Sequence, residues 1–240
     1  MARKTHREEA GSRIRNNDDK DNIPNFGFFG KYLARYVDSC YPLSNFMEQT
    51  LVLIKPDGVQ RGLIGEIVGR FERVGLKMIA LKMVHPSHED VDQHYALTEE
   101  WMKGVYEKAK AKYDAKGQAF PYSDHVAYGT EIKRGLVEFL KSAPIIAMVL
   151  EGEQAVTLVR KLVGATEPAG AAPGTIRGDL SLDTYALSNT QSRPIRNLIH
   201  ASGTVEEAQK EIPVWFTDTE LHKYEHVNDR VQYDPEWFLS

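Results

Sequence analysis

The stretch Thr50-Leu-Val-Leu-Ile-Lys-Pro-Asp-Gly-Val-Gln-Arg-Gly62 opens the ordered part of the sequence and decides how the rest is read. Residues 50–54 are a short run of apolar, partly β-branched side chains, the pattern of a strand buried on both faces. Lys55-Pro-Asp-Gly58 closes that run with turn residues. Leu63, Ile64, Ile67, Val68, Phe71 and Val74 then recur at helical spacing, and Gly75 stands where a C-cap glycine belongs. A second strand is predicted over 76–84, so the domain begins β-α-β.

Further along, Ser87-His-Glu-Asp90 reads as a helix start with Ser87 as N-cap and Asp90 at the capping-box position. That helix carries His94 and Tyr95. A helix is predicted over 101–116, a loop over 117–129, and another helix over 131–141, closed by Pro144. Residues 145–151 read as a strand, 153–163 as an amphipathic helix, and 165–174 as a loop of Gly, Ala and Pro. A short strand-like segment at 197–200 precedes a helix over 204–215, with Thr204 as N-cap and Glu207 at the capping-box position. This order contains the βαββαβ plan of a ferredoxin-like α+β fold, an antiparallel sheet covered by helices. The domain is drawn as 47–240, preceded by a disordered tail over 1–22 and an aromatic extension over 23–46.

Bulk properties bound the function. The chain has 240 residues, 42% of them hydrophobic and 27% charged, which suits one globular domain with a real core. Its longest apolar run, 145–150, falls far short of the ~20 residues of a membrane helix. The formal net charge of −4 speaks against a nucleic-acid-binding surface, so an anion site must be a local cluster of cations. With Cys40 the lone cysteine, neither an internal disulfide nor a cysteine-based zinc site is expected, and a cytoplasmic setting fits. The histidines near residue 90 (His85, His88 and His94) read as surface residues rather than as metal ligands.

Three segments hold the candidate chemistry. Lys55, at the end of a strand, can present an ammonium to an anion or a ribose hydroxyl. Arg160, Thr166 and Pro173-Gly-Thr-Ile-Arg-Gly-Asp179 offer two arginines and a hydroxyl suited to a di- or triphosphate. Asn197-Leu-Ile-His-Ala-Ser202, followed by Glu206, Glu207 and Glu211, has the parts of an oriented histidine nucleophile. Taken singly, each segment also has a plain structural reading.

In combination and order, these pieces closely resemble the nucleoside diphosphate kinase family. The matching segments are Thr50 to Gly62 as quoted, His94-Tyr95, Gly164-Ala-Thr-Glu-Pro168, Pro173 to Asp179, and Asn197 to Ser202 with Glu211 and Trp215-Phe216. The resemblance implies that His200 takes the γ-phosphate and passes it on. It places Lys55, Tyr95, Arg160, Thr166, Arg177 and Asn197 at the nucleotide, and Ser202 and Glu211 as the residues that orient the histidine. It further implies ping-pong exchange between nucleoside tri- and diphosphates, Mg²⁺ carried on the nucleotide phosphates with no protein metal site, and a homo-oligomer of six or four copies. The other readings carried are a non-catalytic, regulatory nucleotide-binding homologue, whose mark would be loss of the histidine or an arginine, and an interaction protein acting through its N-terminal aromatic segment. The sequence departs from common members by insertions at about 98–130 and 181–193. The aromatic pair that usually stacks on the base falls here on Ile132 and Lys133, which leaves Phe120, Tyr122 and Tyr128 as candidate replacements.

Overall fold

The structure is a computed structural model that describes residues 47–115 and 117–239. The expectations for 1–22 and 23–46 lie outside the described residues. Four strands, β1 (Met47–Ile54), β2 (Lys77–Val84), β3 (Ile145–Glu153) and β4 (Ile199–Ala201), form one antiparallel sheet in the order β2-β3-β1-β4. This is the ferredoxin-like arrangement expected.

Alternation along the central strands divides the core in two. Leu51 and Leu53, with Ile145, Ala147 and Val149, face one layer of helices, where they meet Val91, Val137, Leu140, Ile212 and Trp215. Val52 and Ile54, with Ile146, Met148 and Leu150, face the other layer and meet Ile67, Phe71, Val159, Val163 and Ile176. Both faces of the sheet are thus buried, which is why the strands read as continuous apolar runs rather than alternating ones.

The helices follow their local signals. Pro56–Gln60 (α1) is a short helix with proline in its first turn, so the predicted turn at 55–58 is instead a helix start. Helix α2 (Ile64–Arg73) ends at Gly75, whose φ of 85° and the bond from Leu76 N–H to the Phe71 carbonyl (3.3 Å) make the expected C-cap. The Ser87–Asp90 capping box forms in full at the start of α3 (His88–His94). Helices α4 (Glu99–Asp114) and α5 (His125–Lys141) pack as a hairpin. Helix α5 starts earlier than predicted, because Asp124 caps it by accepting from Ala127 N–H at 2.8 Å.

Beyond β3 come α6 (Ala155–Val163), α7 (Ile176–Leu180), α8 (Tyr185–Thr190), α9 (Val205–Trp215) and α10 (Val227–Tyr233). Thr204 caps α9 as expected, but Glu207 reaches back to Gly203 N–H at 2.7 Å rather than to the cap residue's own amide. Residues 181–193 form a stapled loop around α8. Arg193 grips Asp183 with two nitrogens at 2.6 and 2.9 Å, and Asp183 also accepts from Arg196 N–H at 2.7 Å. The loop therefore delivers the chain at a fixed point just before Asn197.

Candidate active site

β4 is the edge strand that carries His200, paired with Leu53 of β1. Leu198, just before it, is fully buried and held at φ 67°, a backbone state that bulky side chains rarely adopt. Two bonds from the start of α1 hold this residue: Lys55 N–H donates to its carbonyl at 2.8 Å, and its own N–H donates to Asp57 Oδ2 at 3.0 Å. Asp57 had no assigned role in the sequence. Its signal was its place beside Lys55, and its work is to hold the strained turn that presents Asn197 and His200.

His200 Nε2 lies 3.1 Å from Glu211 Oε2, and Ser202 Oγ donates to the same oxygen at 2.6 Å. Ser202 is fully buried and is itself held by Leu51, whose N–H donates to its Oγ at 3.3 Å. Burial alone would push the Glu211 carboxyl up. The His200 charge, with hydrogen bonds from His200 and Ser202, overrides it and holds the group at about 2. Glu211 is therefore an anion that accepts from Nε2–H, which leaves Nδ1 of a neutral His200 as the free nitrogen.

Asn197 joins two other segments to this centre. Its Oδ1 accepts from Lys55 Nζ at 2.9 Å, and its Nδ2 donates to the Thr166 carbonyl at 2.8 Å. Lys55 is buried, and that burial, with Arg177 nearby, lowers its pKa to about 8 against the opposing pull of Asp57. Arg177 differs from its expected role. Its guanidinium grips three backbone carbonyls, those of Asn197 (3.2 Å), Gly164 (3.0 Å) and Ile199 (2.6 Å). Three of the five donors that an arginine offers are thereby spent on scaffolding, and two remain for a ligand. Burial lowers its pKa to about 10, so it stays charged at neutral pH.

Tyr95, at the end of α3, sets its ring 6.4 Å from that of His200, and burial beside Glu211 raises its phenol pKa. Arg160, in the last turn of α6, is exposed and close enough to Arg177 that its charge adds to the lowering of the Arg177 pKa. Thr166 is exposed on the adjoining loop. The predicted set is thus brought to one place, with Lys55, Tyr95, Arg177, Asn197, Ser202 and Glu211 around His200 and with Arg160 and Thr166 flanking. Of the three aromatics considered for the base, Phe120 packs at 5.8 Å from Tyr122 and 5.1 Å from Tyr128, and also meets Tyr106 and Tyr113. Those rings are the α4–α5 hairpin's own small core. Lys133 pairs with Asp92 Oδ1 at 2.7 Å and so ties α5 to α3.

His94 of α3, read as a surface residue, is instead buried against this centre. Its ring centroid is 4.5 Å from that of His200, in an edge-to-face arrangement. A nitrogen of His94, one of His200 and a Glu211 oxygen lie within 4.8 Å of one another, a spacing that a metal could bridge. The tautomer argues against it. Trp215 Nε1–H donates to His94 Nδ1 at 3.3 Å, so the proton of the neutral ring is on Nε2, and that nitrogen has no lone pair to offer.

Comparison with known proteins agrees with this geometry. The sequence profile described as nucleoside diphosphate kinase matches residues 48–115 and 121–221. A nucleoside diphosphate kinase of Pyrobaculum aerophilum is 46% identical over 179 residues, covering 73% of this chain and 98% of the relative. The crystal structure of an NDP kinase from Pyrobaculum aerophilum superposes with a TM-score of 0.71 at 44% identity, covering 74% of this chain and all of that one. A transition-state mimic of the Borrelia burgdorferi enzyme, with bound vanadate and ADP, superposes with a TM-score of 0.63 at 38% identity, covering 79% and 98%. With a family match across most of its length and a histidine, carboxylate and cation set in that family's order, this chain belongs to the nucleoside diphosphate kinase family.

Proposed function

We propose that this kinase works by ping-pong exchange through a phosphohistidine on His200, and the observation that carries the reading is the Glu211–His200 pair with its free Nδ1. The overall reaction transfers the γ-phosphate of a nucleoside triphosphate to a nucleoside diphosphate. In the first half, the Nδ1 lone pair attacks Pγ. The bond from Pγ to the β,γ-bridging oxygen breaks, its electrons stay with the departing diphosphate, and an N–P bond forms. No proton has to move, because Nε2–H remains on Glu211 throughout. In the second half, a terminal oxygen of the acceptor diphosphate attacks the same phosphorus and restores the free ring. Lys55, Arg177 and Arg160 supply positive charge around the transferring group.

Glu211 is committed to His200 and Ser202, and Asp57 holds Leu198 N–H through Oδ2 while its Oδ1 is buried away from solvent. This donor set suits Mg²⁺ brought in on the nucleotide's own phosphates, where it neutralises charge, and not an ion resident on the protein. A homo-oligomer of six or four copies is supported by the outer strand β2, which leaves Leu81 and Met83 exposed. A cytoplasmic setting rests on the single cysteine. The exposed flank at Arg160 and Thr166 and the paired state of Lys133 leave few side chains for the base, which supports broad base use.

The direct test is incubation with γ-labelled ATP. The protein should acquire an acid-labile, base-stable phosphate that any nucleoside diphosphate discharges, and absence of a chaseable phosphoenzyme would sink the ping-pong reading.

The Lys55 environment also sets a pH dependence. In the free enzyme its charge is lost as the pH rises through about 8. We expect kcat/KM to fall above that pH. A bound polyphosphate favours the ammonium form, so the decline in kcat begins at higher pH. Stability moves the other way. Below pH 8 the fold carries a charged, buried lysine that is better solvated when unfolded. Between pH 8 and the ordinary value of 10.5 the unfolded state holds more protons, so this group's contribution to stability rises with pH. Profiles of kcat and kcat/KM for wild type and Lys55→Arg check this: the arginine variant should lose the decline near pH 8, and a wild-type kcat/KM that is flat through that region would refute it.

A further inference from the structure

His94 is a buried titratable group that the steps above do not use. Its burial is nearly complete, and that burial, with the neighbouring His200 charge, pushes its pKa down to about 3. It is therefore neutral wherever the enzyme works. Trp215 occupies Nδ1, and Nε2, which must carry the proton, is shut off from solvent with no hydrogen-bond partner among the described residues. A buried donor left without a partner is costly to keep, and in a native structure such a group calls for a functional reason. The ring makes T-shaped contacts with His200 and Tyr95, at centroid distances of 4.5 and 4.6 Å. It comes from α3, whereas His200 and Glu211 come from β4 and α9, so it is an independent wall of the nucleophile's pocket.

We propose that His94 is a positioning residue for phosphotransfer: with its tautomer set by Trp215, it presses edge-on against His200 and turns its one free N–H toward the His200–Glu211 pair, holding the nucleophile in the orientation whose Nδ1 meets the phosphate. Two features make this more than packing. The Trp215 bond leaves the remaining nitrogen a donor rather than an acceptor, a nitrogen of this ring lies within 4.8 Å of the polar atoms of the pair, and a donor on that side would favour Glu211 as a carboxylate accepting from His200 Nε2–H. An edge-on neighbour also limits rotation of the His200 ring, and a nucleophile misplaced by about 1 Å loses on the order of a hundredfold in rate.

The proposal rests on His200 as the phosphorylated residue, and the experiment separates the two. His94→Leu, His94→Asn and His94→Gln are compared with wild type in single-turnover phosphorylation by saturating ATP. Nucleotide affinity is measured in parallel, and thermal melting reports folding. Asparagine keeps an acceptor for Trp215 but cannot reach the Nε2 position, whereas the glutamine amide can carry an N–H there. Phosphorylation should slow roughly tenfold to a hundredfold in the Leu and Asn variants and recover substantially in Gln, with nucleotide affinity little changed. Trp215→Phe, which releases Nδ1, should slow the step severalfold by itself. Long-range proton–nitrogen spectra should show His200 mainly protonated on Nε2 in wild type and as a tautomer mixture in the Leu variant. Equal rates in Gln and Leu, or wild-type rates in all three, would overturn the role of His94. Label that persists in His200→Ala would instead overturn the nucleophile itself, and this proposal with it.

Discussion

His200→Ala is expected to abolish turnover, lowering kcat by several orders of magnitude, while ATP and ADP still bind. The expectation follows from how little of the site hangs on that side chain. Its one hydrogen bond is to Glu211, which keeps Ser202 as a second donor. The bonds from Lys55 to Asn197 and from Asn197 to the Thr166 carbonyl pass around the imidazole rather than through it. Arg177 grips backbone carbonyls that the substitution leaves in place. The alanine variant should therefore fold, with a stability loss of about 1–3 kcal/mol from a half-buried carboxylate that has lost one of its two hydrogen-bond donors. Steady-state kinetics and calorimetric titration with ADP give the two halves of the check. Near-normal turnover in the purified variant would remove His200 from the mechanism. Lost turnover together with lost ADP binding would make it a scaffold residue.

How far the sequence reached depended on how local each cause is. Strand 50–54, the α2 stripe, Gly75 and the Ser87 box are set by residues within one or two turns of one another, and each formed as read. The start of α5 was misread because Gly129 looks like the end of a loop. Its actual reason is tertiary: a Cβ there would lie 2.6 Å from Met102 Cγ of α4, so the glycine permits the hairpin to close. Lys55-Pro-Asp-Gly58 has turn chemistry, but proline is equally at home in the first turn of a helix, and periodicity cannot choose between the two over so short a span. At the site, residue types and order were legible, and the family resemblance supplied an expected role for each. What stayed hidden was every assignment made by a distant partner. His94 is defined by Trp215, Asp57 by the strained Leu198, and Arg177 by carbonyls from two segments. No short window contains those pairs.

Arg177 carries the second large expectation, because it does two jobs that can be pulled apart. On the proposed mechanism Arg177→Ala removes a cation from beside the transferring phosphoryl, which should lower kcat/KM by roughly a hundredfold or more, on the order of 3 kcal/mol. It also strips donors from the carbonyls of Gly164, Asn197 and Ile199, which lie around a side chain only 8% exposed. The Asn197 carbonyl still accepts from Ile199 N–H at 2.8 Å, but the loss of three charge-assisted bonds should cost a further 2–4 kcal/mol or so of stability, read as a lower melting temperature. Arg177→Lys separates the two. Lysine keeps the charge but cannot reproduce the planar fork that reaches three acceptors at once. Its kcat/KM should recover in part, while its melting temperature stays close to that of the alanine variant. Recovery of both together would mean that charge alone matters and that the three backbone bonds are incidental. An unchanged kcat/KM in Arg177→Ala, tested with several nucleoside diphosphates, would make the arginine a scaffold residue only. Transition-state charge would then have to be met by Lys55 and Arg160, and the burial that lowers the Lys55 pKa to about 8 would weigh more heavily on activity above that pH.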